Sequence, residues 1–270
     1  YCGSYITNWW EPSNDSGEGG LATKAVLNNP WSIALDSYGN LFLADTSNSK
    51  IKFVYNGIST PLIDAYYNVN QLSIGRIYTL LEDYSCQGIT FDNDGNLYFN
   101  NYGSHSIYVV INVNNSVLLS NILTNNLTIG NVYKFGNGPY NSENSGGDGS
   151  NAYDASFTFP VRFTFDSNNN MYISDNLAYY VRKISTDGII TTIAGNGNTG
   201  YSGDGYYGNI ASLNYPYGLT SDIYNDIYFA DVNNNVIRKL KSIYSKEPPE
   251  EVEPYVQTVT TVVGTTTPGY

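Results

Sequence analysis

Eight oxygen-bearing side chains recur at a fixed spacing and are the first candidates for chemistry. Asp36, Asp92, Asp166 and Asp222 are each followed nine residues on by Asp45, Asn101, Asp175 or Asp231. Paired carboxylates can serve acid–base catalysis or hold a cation. The stretch Asp92-Asn93-Asp94-Gly95-Asn96 comes nearest to a calcium loop, with alternating oxygen ligands ahead of a turn-forming glycine. No bidentate Glu follows at the required distance, and the other three copies put a plain hairpin turn there. A turn is therefore the expectation, and no metal is assigned. Glu18, Asp148 and Asp204 stand in the Gly-rich stretches SGEG, SGGDG and SGDG and could line one face with carboxylates, although recurring turns account for them more simply.

His105 is the sole histidine, so a zinc site of several imidazoles is impossible and any Ser-His-Asp triad would have to use it. It falls at the place of Ser49 in the first copy, where a solvated turn residue is expected. Neither a nucleophile elbow nor a Walker loop is present, and Cys2 and Cys86 lack CxxC spacing. The apolar positions ahead of each turn (Ile33, Leu35, Ile89, Phe91, Phe163, Phe165 and Leu219) carry no charge beyond Arg162. The expectation is a protein without catalytic residues or cofactor.

Composition narrows the partners. The 270 residues hold 12 Lys and Arg against 24 Asp and Glu, a formal net charge of −12. Phosphate backbones and anionic lipid bind mainly through Lys and Arg, so neither nucleic acid nor a membrane surface is expected. No apolar run approaches the roughly 20 residues of a membrane span. Charged residues make up 13% of the chain, against about 25% in an ordinary soluble domain. Asn, Ser, Thr and the 27 Tyr must therefore solvate the surface. Acceptor patterns for N-glycosylation stand at Asn14, Asn114 and Asn126, the cysteine count is even, and the sequence starts at Tyr1 rather than Met. Together these predict a secreted extracellular protein with a Cys2–Cys86 disulfide.

The recurring acids belong to a longer repeat. Segments beginning at Pro30, Cys86, Pro160 and Pro216 superimpose without gaps, each with a turn aspartate six residues in and an aliphatic residue six beyond the second acid or amide. Each copy predicts a short apolar strand, a turn on Asp-x-x-Gly/Asn-Asn/Asp, an alternating strand such as Leu97-Tyr98-Phe99, and a third strand such as Val181-Arg182-Lys183-Ile184. Fourth strands follow at Ile77–Leu80, Val132–Phe135 and Ile190–Ile193. Four-stranded units repeated in this way predict an all-β propeller. The run ITTIAGNGNTGYSGDG at 190–205, then Leu213-Asn214-Tyr215-Pro216, Tyr228-Phe229-Ala230-Asp231 and Val236-Ile237-Arg238-Lys239, resembles NHL-repeat β-propellers. The resemblance implies a propeller with four recognisable NHL-like blades and a recognition role. Asn101 and Cys86 depart from the pattern, standing where the other copies have aspartate and proline.

The termini show a second regularity. Residues 260–270 align on 191–201, and Ser16-Gly17-Glu18-Gly19 lies as far ahead of Pro30 as Ser202-Gly203-Asp204-Gly205 does ahead of Pro216. By the same alignment Tyr5-Ile6-Thr7 also claims the strand position of residues 260–264. The expected organisation is an N-terminal arm or extra strand at 1–15, a propeller at 16–246, a Pro/Glu-rich spacer at 247–256 and a strand at 257–270 that closes the ring or pairs with a neighbouring subunit. Exposed loop aromatics Trp9, Trp10, Tyr66, Tyr67, Tyr206 and Tyr207 suit carbohydrate or protein contacts if they do not pack on their own blades. The functional expectation is a non-catalytic structural or recognition propeller, whose partners are extracellular protein, carbohydrate, or its own copies in an oligomer or fibre. The alternatives are a propeller-type hydrolase or lyase with a loop-borne site, and a sensor ectodomain of a longer protein.

Overall fold

The computed structural model describes residues 17–123, 126–136, 145–242 and 257–265. They form four antiparallel sheets of four strands, each a meander in chain order, and these are the blades of a β-propeller. The first blade comprises β1 (Pro30–Leu35), β2 (Leu41–Asp45), β3 (Lys50–Val54) and β4 (Ile77–Glu82). The second comprises β5 (Ile89–Phe91), β6 (Leu97–Asn100), β7 (Ile107–Val110) and β8 (Val132–Phe135). The third is built from β9 (Pro160–Phe165), β10 (Met171–Asp175), β11 (Tyr180–Ile184) and β12 (Ile190–Ala194), and the fourth from β13 (Pro216–Ser221), β14 (Ile227–Asp231), β15 (Val236–Leu240) and β16 (Val259–Gly264). The described residues group into two compact units, one of residues up to 116 with 125–134, the other of 117–124 and 135 onward.

One turn, made four times, sets the register between first and second strands. The first oxygen of Asp36, Asp92, Asp166 and Asp222 accepts from the backbone N–H two residues on, at 2.9–3.0 Å, and from the one four residues on, at 2.8–3.0 Å. In three copies the second oxygen accepts from the side-chain amide of Asn40, Asn96 or Asn170 at 2.7–2.9 Å. The carbonyl oxygens of those amides then accept from Asn56, Asn112 and Thr186 N–H, just past the third strand. Asp and Asn are the residues for this task because their short side chains reach backbone N–H groups two to four residues away. In the fourth copy Asp226 replaces the Asn and cannot donate to Asp222. It accepts from Ser242 N–H and pairs instead with Lys239 at 2.6 Å.

In the first unit, Phe42, Ala44, Ile51 and Phe53 of one blade pack with Ile89, Leu97 and Phe99 of the next. Phe91 meets the Phe42 ring edge-on at 4.9 Å. In the second unit, Tyr172, Val181 and Ala194 pack with Leu213, Ile227 and Phe229. The long connections from the third to the fourth strand of the first two blades each hold a short helix, α1 (Pro61–Tyr66) and α2 (Val117–Ile122). Thr60 caps α1 by accepting from Ile63 N–H at 3.2 Å, and Pro61 supplies a helix-ready first residue. β16 pairs with β15 along its whole length, from Val259 opposite Leu240 to Gly264 opposite Val236. The proposed arm at 1–15 and the spacer at 247–256 lie outside the described residues, with Cys2, Trp9, Trp10 and Asn14.

Candidate functional site

The second set of recurring positions is structural as well. Asp45 and Asp231 accept at 2.6 Å from the N–H groups of Asn28 and Asn214, which lead into their blades. Asp175 accepts from Thr158 and Phe159, and Asn101 from Ser85 at 3.1 Å. An amide oxygen thus does what the three carboxylate oxygens do, and for that reason the repeat tolerates Asn101. The stretch with calcium-loop character is the hairpin turn described above, with both Asp92 oxygens used inside it. Among the described residues no three His, Cys, Asp or Glu converge as metal ligands.

Burial pushes the Asp92 carboxyl up to about 6, against the hydrogen bonds from Asn96 that favour the anion. The folded state therefore holds a proton that the unfolded chain has released between about pH 4 and pH 6. The Asp92 contribution to stability falls as pH rises through that window, by about 3 kcal/mol, and is level outside it. Urea unfolding followed from pH 4 to pH 6.5 is expected to show this fall in the wild type relative to Asp92→Asn. Parallel pH profiles would contradict it.

The acidic Gly-rich loops carry a feature that the spacing of the turns does not reveal. In Gly17-Glu18-Gly19, Gly147-Asp148-Gly149 and Gly203-Asp204-Gly205 every glycine has a positive φ, between 67° and 117°. A Cβ on Gly17, Gly147 or Gly203 would come within 2.7–3.0 Å of the Cα of Ala25, Ala155 or Ala211. So folded, each loop lies along the fourth strand of the blade it precedes, with Gly19, Gly149 and Gly205 donating to Ile77, Ile190 and Val259 carbonyls at 2.8–2.9 Å. Each acid then reaches a buried cation on the third strand. Glu18 meets Lys52 at 3.5 Å, Asp148 meets Arg182 at 2.6 Å and Asp204 meets Arg238 at 2.8 Å.

The fourth-strand residue opposite each cation is a threonine, Thr79, Thr192 or Thr261, and a bulge precedes that pair in each of these three blades. Thr79 and Thr192 N–H donate to Glu18 and Asp148 at 2.9 and 3.0 Å, and Thr261 does the same for Asp204. Burial works to raise the Asp204 carboxyl, but the Thr261 and Tyr201 hydrogen bonds and the Arg238 charge outweigh it and hold it below its ordinary value. The second blade has Tyr108 at this position, stacked on Phe99 at 5.4 Å and edge-on to Tyr84 at 5.5 Å. Sequence reasoning missed these cations, although a signal was there: each lies 34 residues after its acid.

A cleft of about 430 Å³ opens beside the Asp148 lock, walled by Ser145, Tyr180, Thr192, Asn196 and Asn209. Ser145 donates its hydroxyl to Asp175, and Asn196 is held by donating to Ile210 O at 3.1 Å and accepting from Asn198 N–H at 3.0 Å. The cleft therefore presents hydroxyls, amides and one aromatic ring around a carboxylate whose charge Arg182 already balances. Other expected residues fall elsewhere. His105 is half-buried in the left-handed turn position of its blade, φ 55°, matching Ser49 with the same φ. Cys86 is fully buried. Asn114 and Asn126 are exposed. Tyr66 and Tyr67 pack on their own unit and donate to Gly130 and Thr79 carbonyls, whereas Tyr206 and Tyr207 are exposed.

No protein-family profile matches the chain, and no curated protein is similar to it. Solved structures are similar in fold. A structural genomics protein of unknown function from Bacteroides thetaiotaomicron superimposes with a TM-score of 0.55 and 19% identity, over 78% of this chain and 47% of that one. An auxiliary nutrient binding protein from the same organism gives 0.54 and 15%, over 90% and 50%. Virginiamycin B lyase from Staphylococcus aureus gives 0.50 and 16%, over 83% and 57%. The chain spans about half the length of these structures. The four-stranded meanders and the likeness to those structures lead to one architecture: the chain is built of the blades of an all-β propeller.

Proposed function

We propose that this protein is a non-catalytic extracellular recognition module that binds an uncharged, hydroxyl-rich ligand of the carbohydrate class in the cleft beside Asp148. One observation carries this reading: the cleft gathers Ser145, Thr192, Asn196, Asn209 and the Tyr180 ring around a carboxylate already neutralised by Arg182. Hydroxyls and amides match the alternating donors and acceptors of a polyol, and an aromatic wall suits its apolar face. A cleft whose one acid is paired has no unbalanced charge to attract an ion. The exposed Asn114 and Asn126 acceptor positions and the sparse surface charge support an extracellular setting. Within the propeller class, we read the blades as NHL-like on the Pro216-to-Lys239 pattern.

Isothermal titration against a panel of neutral oligosaccharides tests the reading. Binding is expected for at least one of them, weakened roughly tenfold or more by Tyr180→Ala or Asn209→Ala, as befits loss of an aromatic or polar contact in a small site. No binding across the panel, or binding that both variants leave intact, would overturn it. Turnover of a bound sugar would replace it with the hydrolase or lyase alternative.

A further inference from the structure

Three blades share the lock of acid, cation and threonine, and two of them place a tyrosine of their own against it. In the fourth, Tyr201 Oη donates to Asp204 Oδ2 at 2.7 Å and lies 2.9 Å from Thr261 Oγ1. In the first, Tyr67 Oη lies 3.4 Å from Glu18 Oε1, while Thr79 Oγ1 donates to Glu18 Oε2 at 2.7 Å and accepts from Lys52 at 3.0 Å. The two phenols arrive by different routes. Tyr201 stands three residues ahead of its acid, whereas Tyr67 follows α1 in the connection between third and fourth strands. A carboxylate oxygen beside a threonine hydroxyl forms a seat for a hydroxyl carried on a ring, because one accepts its proton and the other can donate to its oxygen.

The third blade has the seat without a tyrosine in it. The residue three ahead of Asp148 is Ser145, whose short side chain turns to Asp175 and to Thr158 N–H. Residues 185–189 alone join the third and fourth strands here, too few to bring a side chain round as the α1 connection does. Asp148 Oδ2 accepts from Thr192 N–H at 3.0 Å, and among the described residues Thr192 Oγ1 has no hydrogen bond. The Asp148 side chain is 49% exposed where that of Asp204 is 32%, and the cleft of about 430 Å³ opens against Asp148 and Thr192.

On the reading that this cleft is the ligand site, we infer that its anchoring contact is a ring-borne hydroxyl of the ligand, placed as Tyr201 Oη is in the fourth blade. That hydroxyl donates to Asp148 Oδ2 and accepts from Thr192 Oγ1, and Ser145 is the residue that keeps the seat open. Arg182 is fully buried and so meets the ligand only through Asp148. The anchor therefore selects a neutral donor, since a ligand carboxylate or phosphate has no proton to give Asp148. A pyranose hydroxyl and a phenol share this chemistry, and two probes separate them.

Nitrogen–proton NMR of the full chain, titrated with p-cresol and with the neutral oligosaccharide panel, provides the test. A bound ligand is expected to shift the Thr192 amide signal, because that N–H donates to the same carboxylate oxygen. Thr192→Val keeps the N–H and removes only the unpartnered hydroxyl. It is expected to weaken binding roughly tenfold at an unchanged melting temperature, the effect of losing about one hydrogen bond. Thr191→Val, on the opposite face of the strand, is expected to leave binding as it is. Ser145→Tyr gives the third blade the side chain of the fourth and is expected to abolish binding. Sugar binding that Thr192→Val leaves intact overturns the anchor while the ligand class stands. Binding of p-cresol at Thr192 with no sugar bound keeps the anchor and replaces the sugar with a phenol. Failure of both probes to bind overturns both.

Discussion

Replacing Arg238 by alanine is expected to destabilise the protein by about 3–5 kcal/mol, the usual result of removing one member of a buried ion pair. Its guanidinium is fully buried over the Tyr201 ring at 5.2 Å. It donates to Asp204 at 2.8 Å, Ser202 O at 2.7 Å and Ser212 O at 3.1 Å, with Asp231 at 3.5 Å. Asp231 is itself fully buried, and in its absence would keep the Asn214 and Asn234 hydrogen bonds but no counter-charge. Burial already holds the Asp231 carboxyl above its ordinary value, and the Asn234 and Asn214 hydrogen bonds and then Arg238 pull it down. Without Arg238 it rises further, so the folded variant favours the protonated acid. Its stability falls as pH rises through and beyond the ordinary carboxylate range. Urea unfolding should therefore show a smaller loss in acid than at neutral pH. Asp204→Asn, whose side chain is about one-third exposed, should cost only about 1 kcal/mol. A neutral-pH loss as small as that for Arg238→Ala would show that the cation is not the anchor of this blade.

The second large effect lies at Gly195, immediately after β12. Its φ is 99°, and a Cβ there would stand 2.0 Å from the Tyr179 carbonyl oxygen. Gly264, the last residue of β16, has the same φ, with a Cβ 2.2 Å from Asn235 O. Gly195→Ala is expected to cost about 3 kcal/mol or more, because backbone strain adds to a collision with main chain that cannot move aside. Gly205→Ala isolates the strain alone: its φ is 80° and a Cβ would meet nothing within 4 Å, so about 1 kcal/mol is expected. Equal losses in the two variants would show that the close approach contributes nothing.

These two positions also mark how far the sequence could be read. The blade turns were legible because every hydrogen bond of Asp36, Asp92, Asp166 and Asp222 within the turn closes over two to four residues, so the chemistry leaves a fixed local pattern. The fourth strand near residue 260 was legible through its match to residues 191–195, which includes Gly195 and Gly264. Arg182 and Arg238 were not, because their carboxylates come 34 residues earlier and their threonines follow at distances set by loops of different length. Helices α1 and α2 are six residues each, too short for an apolar period to show.

The loop ahead of each of three blades is stapled to the strand that ends it, and this bears on how the polypeptide is made. In the fourth blade, Asp204 leaves the ribosome long before Thr261, so the acid must wait for the strand that completes its hydrogen bonds. A nascent chain stopped between Arg238 and Thr261 holds the acid and its cation but lacks the strand that completes the lock. Folding should therefore advance in steps about one blade long, each settling only when its outermost strand emerges.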